Sequence, residues 1–318
     1  MKNKHLVNRW ACRFALAGVS LIGLPLCAQD VESLDNGVST PAPVDQQAAD
    51  KSARLPITVS SGVSQQFNTD IDSGGSFSIS RFKAAVGVPL RLNDDFVLGT
   101  TFRYGLDSYN FDSIPAPWHN INTLGASAIL SWRLDDTWTV YGGGFVKMSA
   151  ESSASLSDGT TGGGIIGFNY KVNDTLSVGA GLAAMSVIED NARVLPLITA
   201  KWKFADDWRL DVGLTDVSTV GYGAKCVWLF DKDFEFGFGA QFHQSRFRVS
   251  KVDGVGQERA ATLFADATWH YCPNIDVSGV FGIVAGGELQ GDNSSGGEIF
   301  KTNYKPAAMI GLNASVKF

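Results

Sequence analysis

Arg91-Leu92-Asn93-Asp94-Asp95-Phe96-Val97-Leu98 is the stretch on which the reading of this chain turns. An apolar run stops, a short acidic and amide cluster intervenes, and a new apolar run starts on an aromatic residue. The pattern returns at Arg133-Leu134-Asp135-Asp136-Thr137-Trp138, Lys171-Val172-Asn173-Asp174-Thr175-Leu176 and Lys203-Phe204-Ala205-Asp206-Asp207-Trp208. Two further variants are Leu229-Phe230-Asp231-Lys232-Asp233-Phe234 and His270-Tyr271-Cys272-Pro273-Asn274-Ile275. Asp, Asn and Pro pre-set tight-turn geometry through their side chains or ring. Six such turns between alternating apolar runs read as six hairpins whose short turns share one rim.

The runs between the turns alternate with period two. Leu124, Ala126, Ala128, Leu130, Trp132 and Leu134 fall on one face, against Thr123, Gly125, Ser127, Ser131 and Arg133 on the other, with Ile129 the exception. Trp208, Leu210, Val212 and Leu214 oppose Arg209, Asp211, Gly213 and Thr215 in the same way. Side chains of a strand point to opposite faces in turn, so each run has one apolar and one wet face. Strands are expected near 57–67, 76–92, 96–111, 120–134, 138–150, 161–172 and 175–187. The rest fall near 194–204, 208–217, 221–230, 234–249, 259–271, 275–288 and 307–318, which makes about 14, with 12 as the alternative. Longer Gly/Ser/Asp-rich loops, such as Glu151 to Thr160, Lys251 to Gln257 and Gln290 to Lys305, alternate with the short turns, and the link near Ser218 is the least marked.

What surrounds the apolar faces decides between a soluble sandwich and a membrane barrel. Trp132, Trp138, Trp202, Trp208, Trp228, Phe230, Phe234 and Trp269 cluster beside the short turns. An aromatic girdle at one membrane interface has this form. Short turns belong on the periplasmic side of such barrels, and closure satisfies the backbone hydrogen bonds that lipid cannot. The expected fold class is all-β, a closed antiparallel transmembrane β-barrel. No apolar run of 18 residues follows residue 30, which argues against membrane helices.

The first 28 residues read as an export signal: Lys2, Lys4, Arg9 and Arg13 form a basic start, Phe14 to Cys27 is apolar, and Ala28 offers a cleavage site. Leu26 before Cys27 argues against lipidation. Residues 29–55, with Pro41 and Pro43, read as a flexible periplasmic segment before a barrel at 56–318. Cys226 and Cys272 lie in different hairpins and are expected to be free, because a disulfide needs their Cα atoms within about 7 Å. A net charge of −6 gives no support to nucleic-acid binding.

The final strand, with Gly311 and an aromatic at Phe318, resembles the terminal signal of bacterial outer-membrane barrels, although Val316 stands where the pattern has a second aromatic. Gly237-Phe238-Gly239-Ala240-Gln241-Phe242, followed by Ser245-Arg246-Phe247-Arg248-Val249, resembles a family of outer-membrane barrels of unknown function. The resemblance covers the C-terminal half. It implies an outer-membrane location and recognition of the Phe318 strand by the barrel-assembly machinery, and it brings no catalytic residue.

No catalytic, cofactor or metal site is expected. Gly179-Ala180-Gly181-Leu182-Ala183-Ala184 matches a dinucleotide fingerprint but continues an alternating strand, where the motif needs a helix. Gly142-Gly143-Gly144 and Gly162-Gly163-Gly164 lack the Lys-Ser/Thr of a phosphate loop. His119, His243 and His270 share no ligand spacing. His243 and Ser245 on one face are the nearest approach to a lipid-acting enzyme, without an orienting partner. The lumen face is more informative. By parity it carries Arg81, Lys83, Arg103, Arg133, Lys147, Lys201, Arg209 and Lys225, with Arg91, Lys171, Lys203 and Lys317 nearer the turns. Asp107, Asp211, Glu235, Asp266 and Asp276 are its acids. Basic walls favour anions, so the leading expectation is a porin-like channel for small solutes with an anion preference. A structural or surface-interaction barrel without an open pore is the alternative.

Overall fold

The computed structural model describes residues 55–216, 220–250 and 254–318. The expected export signal, residues 29–54 and the link at Ser218 lie outside the described residues. The strands are β1 (Thr58–Asp70), β2 (Ser76–Arg91), β3 (Phe96–Asp112), β4 (Asn120–Arg133), β5 (Trp138–Glu151), β6 (Thr160–Asn173), β7 (Leu176–Val187) and β8 (Asp190–Ala205). They continue as β9 (Trp208–Asp216), β10 (Val220–Leu229), β11 (Phe234–Val249), β12 (Gly254–Cys272), β13 (Ile275–Asn293), β14 (Glu298–Tyr304) and β15 (Ala307–Lys317).

Sequence neighbours pair antiparallel, and β1 pairs with β15 to close the sheet. β14 and β15 both pair with β13, separated by Lys305 and Pro306, and occupy one place in the wall. The cylinder therefore has the expected fourteen positions, not twelve. Two loop assignments are corrected. Gln290 to Lys305 is largely a hairpin extension of β13 and β14, and β12 starts at Gly254, inside the expected Lys251 to Gln257 loop. Residues Gly254 to Glu258 are buried on both faces, so they carry no alternation to read.

The rim turns form as their sequence demands. The Asn93 side-chain oxygen accepts hydrogen bonds from the backbone N–H groups of Asp95 (2.9 Å) and Phe96 (2.8 Å). Asp135, Asn173 and Asp231 cap their own turns in the same way. Hydrogen bonds from the Thr137 hydroxyl, then from the backbone, hold the Asp135 carboxyl below the usual carboxylate range. Asn93→Ala is expected to lower unfolding stability by about 1 kcal/mol, while Asn93→Asp keeps the acceptor and stays near wild type. Urea titration of the vesicle-reconstituted barrel checks this, and equal midpoints for all three proteins would sink it.

Outside, the wall is apolar on every side: Phe102 on β3, Ile166 on β6, Val194 on β8 and Leu263 on β12 are all exposed. Water-soluble monomers rarely show contiguous apolar patches above a few hundred Å², so this belt requires an apolar surround. Rings pair around it at turn level, Phe96 with Trp132 (5.4 Å), Trp138 with Tyr170 (4.6 Å) and Phe234 with Trp269 (6.2 Å). Neither Cys226 nor Cys272 is in a disulfide.

The outer end of β11 parts from β10 while staying paired with β12 as far as Val249–Gly254. Its pairing with β10 ends at Tyr222–Phe242, and Arg248 pairs in parallel with Ala150 of β5, across the cylinder. Glu151 secures the crossing by accepting hydrogen bonds from the Ser250 N–H (3.1 Å) and hydroxyl (3.0 Å). Beneath it, Phe247 packs edge-on to Trp118 (5.1 Å), in a cluster with Phe77, Ile79, Tyr109 and Tyr304. A second apolar cluster, including Ile129, Phe145, Ile165, Met185, Leu195 and Leu197, lines the inner face of β4 to β8.

Candidate functional site

Two ionisable regions occupy the lumen at different heights. The upper one is centred on Glu258 of β12, which is 1% exposed. Arg81 of β2 donates to both its oxygens, at 3.0 and 2.7 Å. The Tyr109 hydroxyl donates to it at 2.8 Å and the Tyr304 hydroxyl at 3.0 Å. The His243 imidazole lies 3.7 Å away, and Asp107 stands 3.8 Å from Arg81 on the other side. Side chains from β2, β3, β11 and β14 thus converge on the one carboxylate of β12 and tie these strands together through the lumen. A second buried pair, Arg246 with Asp292 (2.7 Å), joins β11 to β13.

The lower region is a vestibule of about 520 Å³ at the short-turn end. Its basic lining is Arg91, Arg133, Lys171, Lys201, Lys203 and Arg209; its acids, Asp94, Asp95, Asp135, Asp136 and Asp174, all sit on the turns. Tyr141, two residues inward of the lining residue Thr139, lies against Gly167 and Gly181, where a Cβ would crowd its ring or hydroxyl. Small residues on β6 and β7 are needed there for that reason.

The eight basic residues read from parity are distributed unevenly. Arg133, Lys201 and Arg209 meet in the vestibule. Arg209 is held by Asp211 (2.9 Å) and Glu235 (3.2 Å), and Lys225 by Asp266 (2.7 Å). Arg81 and Lys147 are buried higher up, and Lys83 and Arg103 are half-buried on β2 and β3. Sequence reasoning missed Glu258, Asp292 and also Glu288, which pairs with Arg259 (2.7 Å) and Lys301 (3.0 Å). The signal within reach was Gln257-Glu258-Arg259, a charged run at the mouth of a strand. His243 and Ser245 are both buried, and His243 is directed to Glu258.

A closed antiparallel cylinder with an apolar exterior, aromatic girdle and ion-paired lumen is a transmembrane β-barrel of the outer-membrane type. The chain belongs to the family described as Domain of unknown function (DUF6268), whose model matches residues 130–318. No curated protein matches the sequence. Among solved structures it is similar to the COG4313 outer membrane channel from Pseudomonas putida F1, with 10% identity, 87% of this chain and 99% of that chain covered, and a TM-score of 0.48. It is also similar to the P. putida toluene transporter TodX, with 8% identity, 83% and 90% coverage and a TM-score of 0.49. A Pseudomonas aeruginosa FadL homologue shares 11% identity, with 82% and 89% coverage and a TM-score of 0.45. At such values the lumen of this chain has to be read from its own geometry.

Proposed function

We propose that this barrel is an outer-membrane channel for small solutes with a preference for anions, its short turns facing the periplasm. The observation that carries the reading is the vestibule, where half-buried Lys201 and Arg209 line the wall behind the turn aspartates and the exposed Arg133 donates to the Asp94 carbonyl at the rim. Low-dielectric walls lined by one sign of charge concentrate the opposite ion. The turn aspartates face solvent and are screened within about 8–10 Å at physiological salt, whereas the deeper cations are screened less. The crossing of β11 makes this a closed form that opens by displacement of that strand.

A structural barrel without an open pore is the second reading, favoured by the filled outer lumen. Reconstitution of the full chain in a planar bilayer separates the two. Stepwise conductance is expected, with a reversal potential in a salt gradient on the anion side, and Lys201→Glu is expected to move it toward the cation side. Cation selectivity in the wild type removes the anion preference. Silence in both the wild type and a variant with the β11 crossing loosened supports the structural barrel.

The partners in this reading are outer-membrane lipid around the belt and the barrel-assembly machinery, which would read the strand ending at Phe318 after export through the leader at 1–28. A lipid-acting activity through Ser245 and His243 is the weakest alternative, tested by assaying Ser245→Ala for lost lipase activity.

A further inference from the structure

The inner face of the wall changes character around the cylinder. On β4 to β8 it is bulky and apolar, with Ile129, Phe145, Ile165, Leu195 and Leu197 packed together. On β2 and β3 it is small. Inward of the vestibule residues Arg91 and Val97, alternation puts Pro89, Gly87 and Ala85 beside Gly99 and Thr101 on the luminal side. All five are half-exposed although they face inward. A Cβ at Gly87 would meet nothing nearer than the Thr58 carbonyl at 3.9 Å, and one at Gly99 nothing nearer than the Ile129 carbonyl at 3.8 Å. Farther in, a Cβ at Gly105 would approach only the Thr123 side chain (3.7 Å) and the Phe82 carbonyl (3.9 Å). Among the described residues, these small side chains leave a groove two strands wide, about 10 Å, that climbs from the vestibule.

The charges at the head of this groove are of one sign. Lys83 and Arg103 are diagonal neighbours across the β2–β3 ladder, since Lys83 faces Gly105 and Arg103 faces Ala85. Glycine makes room on either flank. The Lys83 stem lies over Gly62, its Cε 3.1 Å from where a Cβ would stand, and Gly125 separates Arg103 from Lys147 in register. From this level down to the vestibule, the inner faces of β1 to β5 carry no acid. Across the lumen the acids hold bases of their own wall: Asp211 and Glu235 hold Arg209, Asp266 holds Lys225, and Asp276 holds His270 and Lys317. Above, Asp107 stands 3.8 Å from Arg81. Even with Asp107 set against one of Lys83, Arg103 and Lys147, two positive charges remain in excess on this wall. The bulky apolar half of the lumen keeps the local dielectric low, so the field of that excess extends across the groove.

We propose that Lys83 and Arg103 form the selectivity site of the channel, past which small inorganic anions such as chloride and phosphate travel along the β2–β3 groove. The proposal rests on the channel reading and deepens it, because it moves the discrimination from the vestibule to the middle of the lumen. The vestibule bases stand beside turn aspartates, which offset part of their field. In register with Lys83 stand only Gly62 and Gly105, and in register with Arg103 only Ala85 and Gly125. Arg and Lys lining a pore favour anions. Because both side chains are half-exposed, an ion beside them keeps part of its hydration and can leave again. The Thr101 hydroxyl, two residues below Arg103 on the same face, offers a polar step on the way.

The test places a reporter thiol in the groove. Thr101→Cys is made in the full chain carrying Cys226→Ser/Cys272→Ser, and the detergent-purified barrel is reacted with an anionic and a cationic methanethiosulfonate of like size. Each rate is normalised to that of a free thiol, and conductance in potassium chloride and in potassium phosphate is read on the same preparation. The anionic reagent is expected to react at least about tenfold faster. Lys83→Gln/Arg103→Gln is expected to bring the two rates near parity, and Lys83→Glu/Arg103→Glu to invert them. Lys201→Glu, on the far wall of the vestibule and beyond a screening length, is expected to change the ratio by less than about twofold. Equal rates before the charge changes, no reaction with either reagent, or a preference that the Gln pair leaves unchanged overturns the site. Anion-selective conductance that Lys201→Glu reverses and the Gln pair does not overturns the site and leaves the channel standing. An anionic preference that the Gln pair abolishes, in a protein that conducts neither salt, keeps the site and overturns the channel.

Discussion

Glu258→Ala is expected to lower the unfolding free energy by about 3–5 kcal/mol, the usual effect of stripping a buried charge of its partner. The loss arises from Arg81, left buried among Tyr109, Tyr304 and Gln66 with only the more distant Asp107 carboxylate, 3.8 Å away, to face it. The size of the effect does not mean that the pair itself stabilises the barrel by that much. Desolvating both ions offsets most of their attraction, so Arg81→Met/Glu258→Met is expected to recover most of the loss. Urea unfolding of vesicle-reconstituted protein reads both. If the double variant is no more stable than Glu258→Ala, the two side chains do not act as one unit.

Phe247→Ala is expected to cost about 3–5 kcal/mol and to raise conductance. Phe247 is 0% exposed, packs against Trp118 and lies 6.2 Å from the Tyr109 ring. Truncating an aromatic in such a place loses its transfer energy and leaves a cavity. The side chain also sits on the segment of β11 that crosses the mouth, so the cavity opens beneath the crossing strand. Conductance unchanged despite the stability loss would mean that the crossing does not limit flow.

The rim turns, the alternation and the strand number were legible in the sequence because lipid imposes one simple rule on the wall. Leu124 to Leu134 alternates since one side meets hydrocarbon and the other the lumen. The rule lapses where strands rise past the membrane and fold over the mouth. Residues 254 to 258 are buried on both faces, and Glu258 falls one place before the expected start of its strand. The basic lumen set was placed by parity, but its charge balance depends on which acids face it across the cylinder. Arg81 of β2 with Glu258 of β12 is a pairing between strands far apart in the chain that no local pattern encodes.

The ladder that joins β1 to β15 also sets an order of assembly. Thr58 lies opposite Lys317, so about 260 residues of chain must be looped to make the contact, at an entropic cost of about 5 kcal/mol. Each hairpin closes over a few residues and can form early. Closure and the Arg81–Glu258 tie bridge distant segments, and they form late. Until then the growing sheet has two raw edges in an environment that punishes them. The barrel is therefore most vulnerable to misassembly just before its first and last strands meet.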